Sequence, residues 1–346
     1  MKRLIFIGGI GLKNQFGGEL TKNKILVNRL KDFFDQIFVV DTYKSRKCPW
    51  KLVLLPFYIL LFPNVPIIFS TSFGNVKVVV KVLKMFYRRR KVILWAIGGN
   101  LHEMITQDIY KLEDFNYFHA ILVEGNRIKE GLNNLGLYNV RVVPNFKDCK
   151  KNMFNISNKV INTSDKLKMV FFSRIMPEKG CNLILEAVRD LNLKGWSEAY
   201  CVDFYGVIDD SYNKFCEYLK DLKNVSYCGV LNFFNSSGLE TLSKYHLTLF
   251  PTYWGGEGFP GVVVDSYLAG LPILASNWSL NPEIVNNETG YIVPVNDVDA
   301  LIERMEYLIV HKELLNPMFK RTQQEAMRYD VNNVVSVKLI EELFCR

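Results

Sequence analysis

The sequence lacks the features of a secreted, disulfide-rich or zinc-stapled protein. Its seven cysteines are an odd number, and no two of them stand in a C-x-x-C spacing. A disulfide framework and a structural zinc site are therefore not expected, and a reducing compartment fits better. The opening MKRLIFIGGIG has a basic front and an apolar run but no small-residue cleavage site. We interpret it as a first buried strand and not as a secretory signal.

A long apolar run is also missing. The longest stretch, LVLLPFYILLF at 52–62, has about 11 residues and is interrupted by Pro56, which is too short to cross a bilayer. Two interpretations stay open: a helix lying on an anionic membrane face, or a buried core helix. The first is favoured by the basic residues on both sides, which are Lys44, Arg46, Lys47, Lys51, Lys77, Lys81, Lys84, Arg88, Arg89, Arg90 and Lys91.

The two halves of the chain carry opposite charge. Residues 1–160 have 26 Lys/Arg against 11 Asp/Glu, a net charge of +15, whereas residues 161–346 have a net charge of −7. A basic half indicates an anionic partner such as lipid head groups or a diphosphate, unless the charge serves solubility alone. Nucleic acid is disfavoured, because only Phe86 and Tyr87 accompany the basic run Arg88–Lys91 as stacking aromatics.

The 346 residues exceed what one core usually holds, which predicts two domains. Apolar strand-like runs alternate with helix-like ones in two series, and a polar segment, 145–166, separates them as a linker. The strands are predicted at 3–9, 37–41, 65–70, 91–97, 120–125 and 140–144, then at 167–174, 199–206, 224–229, 247–251 and 271–276. Helices are predicted at 19–34, 75–89, 126–135, 181–192, 211–221, 236–244, 260–269, 297–310 and, less regularly, over 313–346.

This order predicts an α/β protein with two doubly wound, Rossmann-like domains that face each other across a cleft. We place the first domain at 1–160 and the second at 161–325. A C-terminal helix at 326–346 is expected to pack back toward the first domain. Ligands of such sheets bind at the carboxyl ends of strands, so the loops after strands are where functional residues are expected.

The strongest functional pattern is PTYWGGEGFPGVVVDSYLAGLPILAS, residues 251–276. A strand ends at Pro251, a glycine-rich loop follows, and Pro260 suits the first turn of a helix whose amide end favours anions. In this loop we expect Gly258, Phe259, Pro260 and Gly261 to bind a donor. One acid before the helix, Glu257, and one within it, Asp265, are acceptors suited to sugar hydroxyls and a ribose diol.

A second pattern, FFSRIMPEKGCNLILEAV, covers residues 171–188. Arg174 and Lys179 lie between a strand and a helix, where an arginine fork and a lysine point charge suit a diphosphate. Without a metal motif in view, these two cations would stabilise a departing nucleoside diphosphate. A surface ion pair for these cations and solvent-facing positions for the acids are the alternative, which the joint placement of all four residues disfavours.

These two segments resemble the family-4 retaining glycosyltransferases of GT-B fold, particularly those that assemble capsules and exopolysaccharides. That family has an R…K pair after the first strand of its C-terminal domain and an E-x7-E motif, here Glu257-x7-Asp265. The second acid departs from the pattern but keeps a ribose contact plausible. The loop 278–283 is also similar, and the resemblance is specific over about 170–300.

Over the first half the resemblance is weaker, with Val143-Pro144-Asn145 as the family's strand end. It implies that Gly17 and Gly18 let the loop after the first strand approach donor phosphates or acceptor. It also implies that His102 lies near the transferred sugar, although a structural loop histidine is an equal alternative. A dinucleotide fingerprint at Gly9-x-Gly11 with Asp41 lacks its third glycine, and NAD is therefore discounted.

Metal binding is not expected. Asp297-Val298-Asp299 matches a D-x-D signature, but it precedes an amphipathic helix, so capping by Asp297 explains it better. The nucleobase is expected near Gly206 and Val230, after two strands of the second domain. His119, His246 and His311 are predicted to be structural, because they stand within or beside apolar runs.

Together these patterns predict a metal-independent glycosyltransferase without a cofactor. It would move a hexose or N-acetylhexosamine from a nucleotide-sugar, with a UDP-sugar favoured, to a hydroxyl of a lipid-diphosphate-linked glycan. Retention at the anomeric carbon is implied by the family alone. The protein would be cytoplasmic and peripheral on the inner face of the plasma membrane. A sugar-nucleotide epimerase and a non-catalytic glycan-binding protein remain alternatives.

Overall fold

The computed structural model describes residues 2–12, 17–44, 54–149, 159–233 and 237–344. The chain forms two compact units, which are described separately below. The first comprises Met1–Asp148 together with Tyr329–Arg346, and the second comprises Cys149–Arg328. Of the predicted linker 145–166, residues 150–158 lie outside the described part of the chain. No helix among the described residues is both long enough and apolar enough to cross a membrane.

The first unit is built on a parallel sheet of buried, apolar strands. Six strands pair in the order β2-β1-β3-β4-β5-β6 within the described residues. Near-continuous runs such as IIFST and VILWA are buried along their whole length, as expected for a sheet covered on both faces. The strands are β1 (Arg3–Gly8), β2 (Gln36–Asp41), β3 (Ile67–Thr71), β4 (Val92–Ala96), β5 (Ala120–Val123) and β6 (Val140–Val142).

The strand order decides which face each helix covers. The connection from β1 to β2 runs in one direction across the sheet, and the connections from β2 onward run in the opposite direction. Because such crossovers are right-handed, the first helix lies on one face of the sheet and the helices of the later crossovers lie on the other. The C-terminal helices share the first helix's face, since Leu26, Leu30, Val335 and Leu343 belong to one buried cluster. The helices are Gly18–Leu30, Leu54–Leu61, Lys77–Phe86, Leu101–Thr106, Asn126–Asn134, Val331–Val334 and Val337–Phe344.

The second unit repeats this architecture. Its described strands form a second parallel sheet of six, in the order β12-β11-β10-β7-β8-β9. The strands are β7 (Leu167–Phe172), β8 (Tyr200–Tyr205), β9 (Val225–Tyr227), β10 (Leu247–Phe250), β11 (Ile273–Ser276) and β12 (Gly290–Val293). The helices are Cys181–Leu193, Ser237–Leu242, Gly261–Leu268, Asn281–Ile284, Val298–Val310 and Asn316–Ala326.

Three predictions differ from the structure. The α-helix predicted at 211–221 is wrong, because two short 3-10 helices, Asp210–Tyr212 and Phe215–Leu219, stand there. The break between the two 3-10 helices lies between Tyr212 and Phe215, whose rings contact each other in the core. The strand Gly290–Val293 was not predicted, since four residues show no clear alternation. Within the described residues, the predicted helical stretch 313–346 is divided into three α-helices, with a 3-10 helix, Met327–Tyr329, between the first two.

The apolar stretch 52–62 combines features of both interpretations. Residues 52 and 53 lie outside the described part, and the helix Leu54–Leu61 follows. Leu55 and Ile59 are buried, whereas Phe57, Leu60 and Leu61 are exposed. One face of this helix therefore packs on the core, and the other faces solvent. The neighbouring Arg46, Lys47 and Lys51 are outside the described residues.

Candidate functional site

In the second unit, the loop after β7 ends at a position where both the backbone conformation and the available space require glycine. The chain passes Arg174, makes a 3-10 turn at Pro177–Lys179, and enters the helix Cys181–Leu193 through Gly180, whose φ is +88°. A Cβ at Gly180 would stand 2.4 Å from the carbonyl oxygen of Pro251. The absence of a side chain lets this loop approach the loop after β10 closely.

The same turn directs Lys179 into a buried ion pair with Glu257. The Nζ atom of Lys179 lies 2.5 Å from Oε2 of Glu257, and the two side chains are only 9% and 8% exposed. The hydroxyl of Thr252 donates to the same carboxylate oxygen over 3.2 Å. These residues meet because the sheet places β7 directly beside β10, although they are 78 positions apart in the chain.

The ammonium group of Lys179 lies among groups that shift its pKa in both directions. Burial lowers the pKa of Lys179, the charge and hydrogen bond of Glu257 oppose that shift, and nearby Arg174 lowers the pKa further. The ring of Trp254 covers the ammonium group, with its centroid 4.2 Å from Nζ. A buried Lys179–Glu257 pair therefore has a second cation, Arg174, within electrostatic range.

A third loop, after β11, holds the glycine-rich segment in place. The hydroxyl of Ser279 donates to the carbonyl oxygen of Glu257 over 2.7 Å, and the indole N–H of Trp278 donates to the carbonyl oxygen of Trp254 over 2.8 Å. The hydroxyl of Ser276 donates to the carbonyl oxygen of Thr252. The loops after three adjacent strands thus fix the backbone around the ion pair.

The helix predicted after the glycine-rich loop is present as Gly261–Leu268. Pro260 is its N-cap and makes no side-chain hydrogen bond to the first amides. The positive end of the helix dipole lies three residues after the buried Glu257, where it would attract an anion. Phe259 is buried, and Asp265 is half-buried as the fifth residue of the helix. Gly258 lies between Glu257 and this helix start.

The residues predicted to bind the base follow β8 and β9. Gly206, with φ +151°, packs so closely on the loop after β7 that a Cβ would stand 1.7 Å from the carbonyl oxygen of Ser173. Its N–H donates to the carbonyl oxygen of Gly229 over 2.8 Å. Val230 follows and is exposed. Both positions therefore lie along the same sheet edge as Arg174.

Arg174 itself is exposed at this edge. It contributes to a lowered pKa at Asp209, where the dominant cause is the hydrogen bond from the hydroxyl of Ser211. Arg174 is thus within electrostatic range of Asp209 on one side and Lys179 on the other. Arg174 therefore lies near the ends of β7 and β8.

The first unit holds the remaining predicted site residues. Gly17 is the N-cap of the helix Gly18–Leu30, both glycines are exposed, and the space that a Cβ at Gly18 would occupy is open. Residues 13–16 of the preceding loop lie outside the described part. The carboxylate of Asp41 accepts hydrogen bonds from the N–H groups of Ile10, Gly11 and Tyr43. Asp41 therefore links the loop after β1 to the loop after β2.

His102 lies within the helix Leu101–Thr106 and packs on the neighbouring helix, where a Cβ at Gly131 would stand 2.4 Å from its Cδ2. Burial is the main cause that lowers its pKa. Its Nδ1 atom is buried without a hydrogen-bond partner among the described residues. The imidazole is therefore neutral near pH 7 and half-sequestered between helices. Its predicted role at the sugar stays a prediction.

Several residues of the site were not singled out from the sequence. Thr252 and Trp254 stand in the quoted glycine-rich segment, but their contacts with Glu257 and Lys179 depend on side-chain direction. In the first unit, Lys22 and Glu124 form a buried ion pair of 2.7 Å at the carboxyl edge of the sheet. Their signal was weak: a lysine on a helix and a glutamate directly after a buried strand.

The D-x-D segment has the predicted structural role. Asp297 is the N-cap of the helix Val298–Val310, and its Oδ1 accepts the N–H of Ala300 over 2.9 Å. The capping prediction is confirmed. Among the described residues, no group of three or more histidine, cysteine, aspartate or glutamate side chains is arranged to hold a metal ion.

Comparison with known families assigns the second unit. The family Glycosyl transferases group 1 matches residues 152–325, which is half of the chain and contains the ion pair and its three loops. The chain belongs to the group 1 glycosyl transferases. Its two parallel six-stranded sheets with their helices form a two-domain, Rossmann-like GT-B fold, as predicted.

Two relatives of this group 1 chain are a protein of a cps region and a capsular polysaccharide biosynthesis enzyme. It is 23% identical over 212 residues to an uncharacterized 41.2 kDa protein in the cps region of Klebsiella pneumoniae, covering 61% of the chain and 52% of that protein. It is 26% identical over 162 residues to the capsular polysaccharide biosynthesis glycosyltransferase CapM of Staphylococcus aureus, covering 45% and 40%. The matches thus span about half or less of these relatives' lengths.

A solved structure resembles the group 1 chain along its whole length. HepE of Anabaena, solved in complex with UDP, superposes with a TM-score of 0.72 at 12% identity, covering 100% of both chains. At that identity the likeness concerns the fold alone.

Proposed function

We propose that this chain is a retaining glycosyltransferase of the family-4 type that takes a sugar from a nucleoside diphosphate donor. The observation that carries the proposal is the buried Lys179–Glu257 pair with Arg174 beside it, at the start of the helix Gly261–Leu268. Arg174 and Lys179 bring two cations to this loop cluster, close to the amide end of the helix. A diphosphate leaving group is the anion that these groups would bind, and its stabilisation is the main task in glycosyl transfer.

Each group has a distinct role in this proposal. Arg174 and Lys179 bind the diphosphate as the glycosidic bond breaks, and the amide end of the helix Gly261–Leu268 takes up part of its charge. Glu257 orients the sugar hydroxyls, since an ionised carboxylate only accepts hydrogen bonds. Asp265 holds the ribose diol. Gly206 and Val230 border the base, and Gly17, Gly18 and His102 act from the first unit, on the sugar or the acceptor.

UDP is the favoured nucleotide, supported by the UDP complex of the structurally similar HepE. No metal ion and no further cofactor takes part. The acceptor we propose is a hydroxyl of a lipid-diphosphate-linked glycan in surface polysaccharide synthesis, supported by the capsular relatives. Such an acceptor is presented at the inner face of the plasma membrane, and the basic first half would bring the protein there as a peripheral, cytoplasmic enzyme.

The test combines nucleotide binding with transfer. Thermal shift against UDP, GDP, dTDP and ADP identifies the base, and transfer is then followed with the matching sugar nucleotides. Arg174→Ala should weaken diphosphate binding by about 10- to 100-fold, since hydrogen bonds to charged groups contribute about 1.5–3 kcal/mol. The matched control is Arg189→Ala, an exposed arginine of the same unit. Equal nucleotide binding by the two variants, or no response of the protein to any nucleotide, would contradict the proposed site.

A further inference from the structure

Two helices of the first unit expose apolar side chains to solvent. On the helix Leu54–Leu61 the exposed residues are spaced i, i+3 and i+4, and on the helix Lys77–Phe86 they are spaced i, i+4, i+7 and i+8, so each set lies on one helical face. We name the two sets together the apolar ridge, which consists of Phe57, Leu60 and Leu61 with Val78, Val82, Met85 and Phe86.

The ridge is not the core-facing side of these helices. Val80 and Leu83 of the second helix are fully buried, and Met85 and Phe86 beside them are 64% and 67% exposed. One face of this helix therefore packs on the core, and a second apolar face is exposed to water. Large exposed apolar areas are unfavourable in a soluble protein unless a partner covers them.

The fold places the two helices side by side. One connects β2 with β3, the other connects β3 with β4, and both crossovers run in the same direction across the sheet, so right-handed connections put them on one face. Arg90, in the segment after the second helix, donates to the carbonyl oxygens of Phe62 and Val65, in the segment after the first. The guanidinium thus links the segments that follow the two helices, and both exposed sets belong to the same face of the sheet.

The charge around the ridge indicates what covers it. The 61 residues between Asp41 and Glu103 contain no aspartate or glutamate and 11 lysines and arginines. Lys81, Arg88 and Arg89 are exposed within or just after the second helix. Neither helix contains an acid; the neighbouring 3-10 helix Leu112–Tyr117 carries the exposed Glu113 and the buried Asp114, and Asp114 pairs with Lys84 over 3.9 Å. Apolar side chains bordered mainly by cations complement a surface of apolar chains beneath anionic head groups. A protein partner or a second copy of this chain would itself need an acid-rich, apolar face.

We propose that the apolar ridge and its bordering cations are the docking surface of this protein for an anionic lipid bilayer. Met85, Phe86, Leu60 and Leu61 enter the head-group region, and Arg88 and Arg89 contact the anionic head groups. The inference deepens the proposed function, on which it rests for its purpose, because a lipid-linked acceptor has to be reached at a bilayer. The binding itself requires no donor or acceptor.

Vesicle flotation without substrates tests the proposal. The protein is mixed with phosphatidylcholine vesicles, or with vesicles that contain 30% phosphatidylglycerol in addition, at low and at high salt. Wild-type protein should float with the anionic vesicles only, and less at high salt. Arg88→Gln with Arg89→Gln should reduce partitioning about 20- to 30-fold, since each basic residue near such a surface contributes about fivefold. Met85→Ser with Phe86→Ser should reduce it at least about tenfold.

Matched controls come from the second unit: Leu193→Ser removes an exposed apolar side chain, and Lys220→Gln with Lys223→Gln removes two exposed cations. Both should float like wild type. The proposal is overturned if wild type does not float, if the ridge variants float normally, or if the controls lose as much. It is also overturned if sedimentation without lipid shows a dimer that the ridge variants dissociate.

Thermal shift with UDP on the same proteins keeps the two proposals separate. Ridge variants that lose vesicle binding should retain their UDP response, and an unchanged melting transition of the first unit reports that this unit is folded. If no protein responds to UDP and wild type still floats, the proposed reaction fails and the docking surface stands.

Discussion

Replacing Lys179 with methionine would leave the Glu257 carboxylate buried without its counter-charge. The two groups are 2.5 Å apart and less than a tenth exposed, so little water can compensate. Breaking a buried pair in this way costs about 3–5 kcal/mol. For a unit of this size, that loss lowers the transition temperature by about 6–20 °C. Because the hydroxyl of Thr252 still donates to the carboxylate, we expect the lower half of this range.

A double-mutant cycle isolates the pair. Lys179→Met, Glu257→Gln and the double variant are compared by calorimetry of the second unit's transition. The double variant should recover about 2 kcal/mol or more relative to the sum of the single changes, because neither charge is then stranded. Lys194→Met is the control, since Lys194 pairs with Glu306 at the surface and its loss should hardly move the transition. The buried pair would be refuted if the losses of unfolding free energy in the single variants were additive and as small as that of the control.

Two further predictions concern the stability of the second unit. Burial lowers the pKa of His246 to about 4, so the unfolded chain binds its proton first as the pH falls, and folding stability declines. Between pH 6.5 and 5, wild type should lose about 1.5 kcal/mol more unfolding free energy than His246→Asn, and parallel pH profiles would contradict this. In urea titrations, Gly206→Ala should lower the free energy of unfolding by at least about 3 kcal/mol, because of backbone strain and the clash with Ser173. Gly229→Ala, with open space around it, should lower it by about 1 kcal/mol.

The fold was largely predictable because both sheets consist of long apolar runs with polar, glycine-containing loops between them. The predictions failed where local pattern and tertiary packing disagree. Residues 211–221 have helical spacing, but Tyr212 and Phe215 turn into the core in 3-10 geometry. The strand Gly290–Val293 is recognisable only by its pairing with β11.

The site was predictable in its loop positions and not in its contacts. Strand ends indicated where Lys179 and Glu257 would lie, because neighbouring parallel strands present their loops at one edge. The sequence could not indicate that these two residues bind each other, nor that Trp254 would cover the ammonium group. The contacts of Asp41 were equally invisible in the sequence: it accepts hydrogen bonds from the N–H groups of Ile10 and Gly11, after the neighbouring strand, and from Tyr43.

The central claim is that the second unit recognises a diphosphate through Arg174, Lys179 and the start of the helix Gly261–Leu268. Calorimetric titration of UDP against uridine, with wild type and Arg174→Ala, measures this directly, because the two ligands differ only in the phosphates. The account predicts that wild type binds UDP at least about 100-fold more tightly than uridine and that the variant loses most of this difference. Equal binding of UDP and uridine by wild type, or an unchanged preference in the variant, would contradict it.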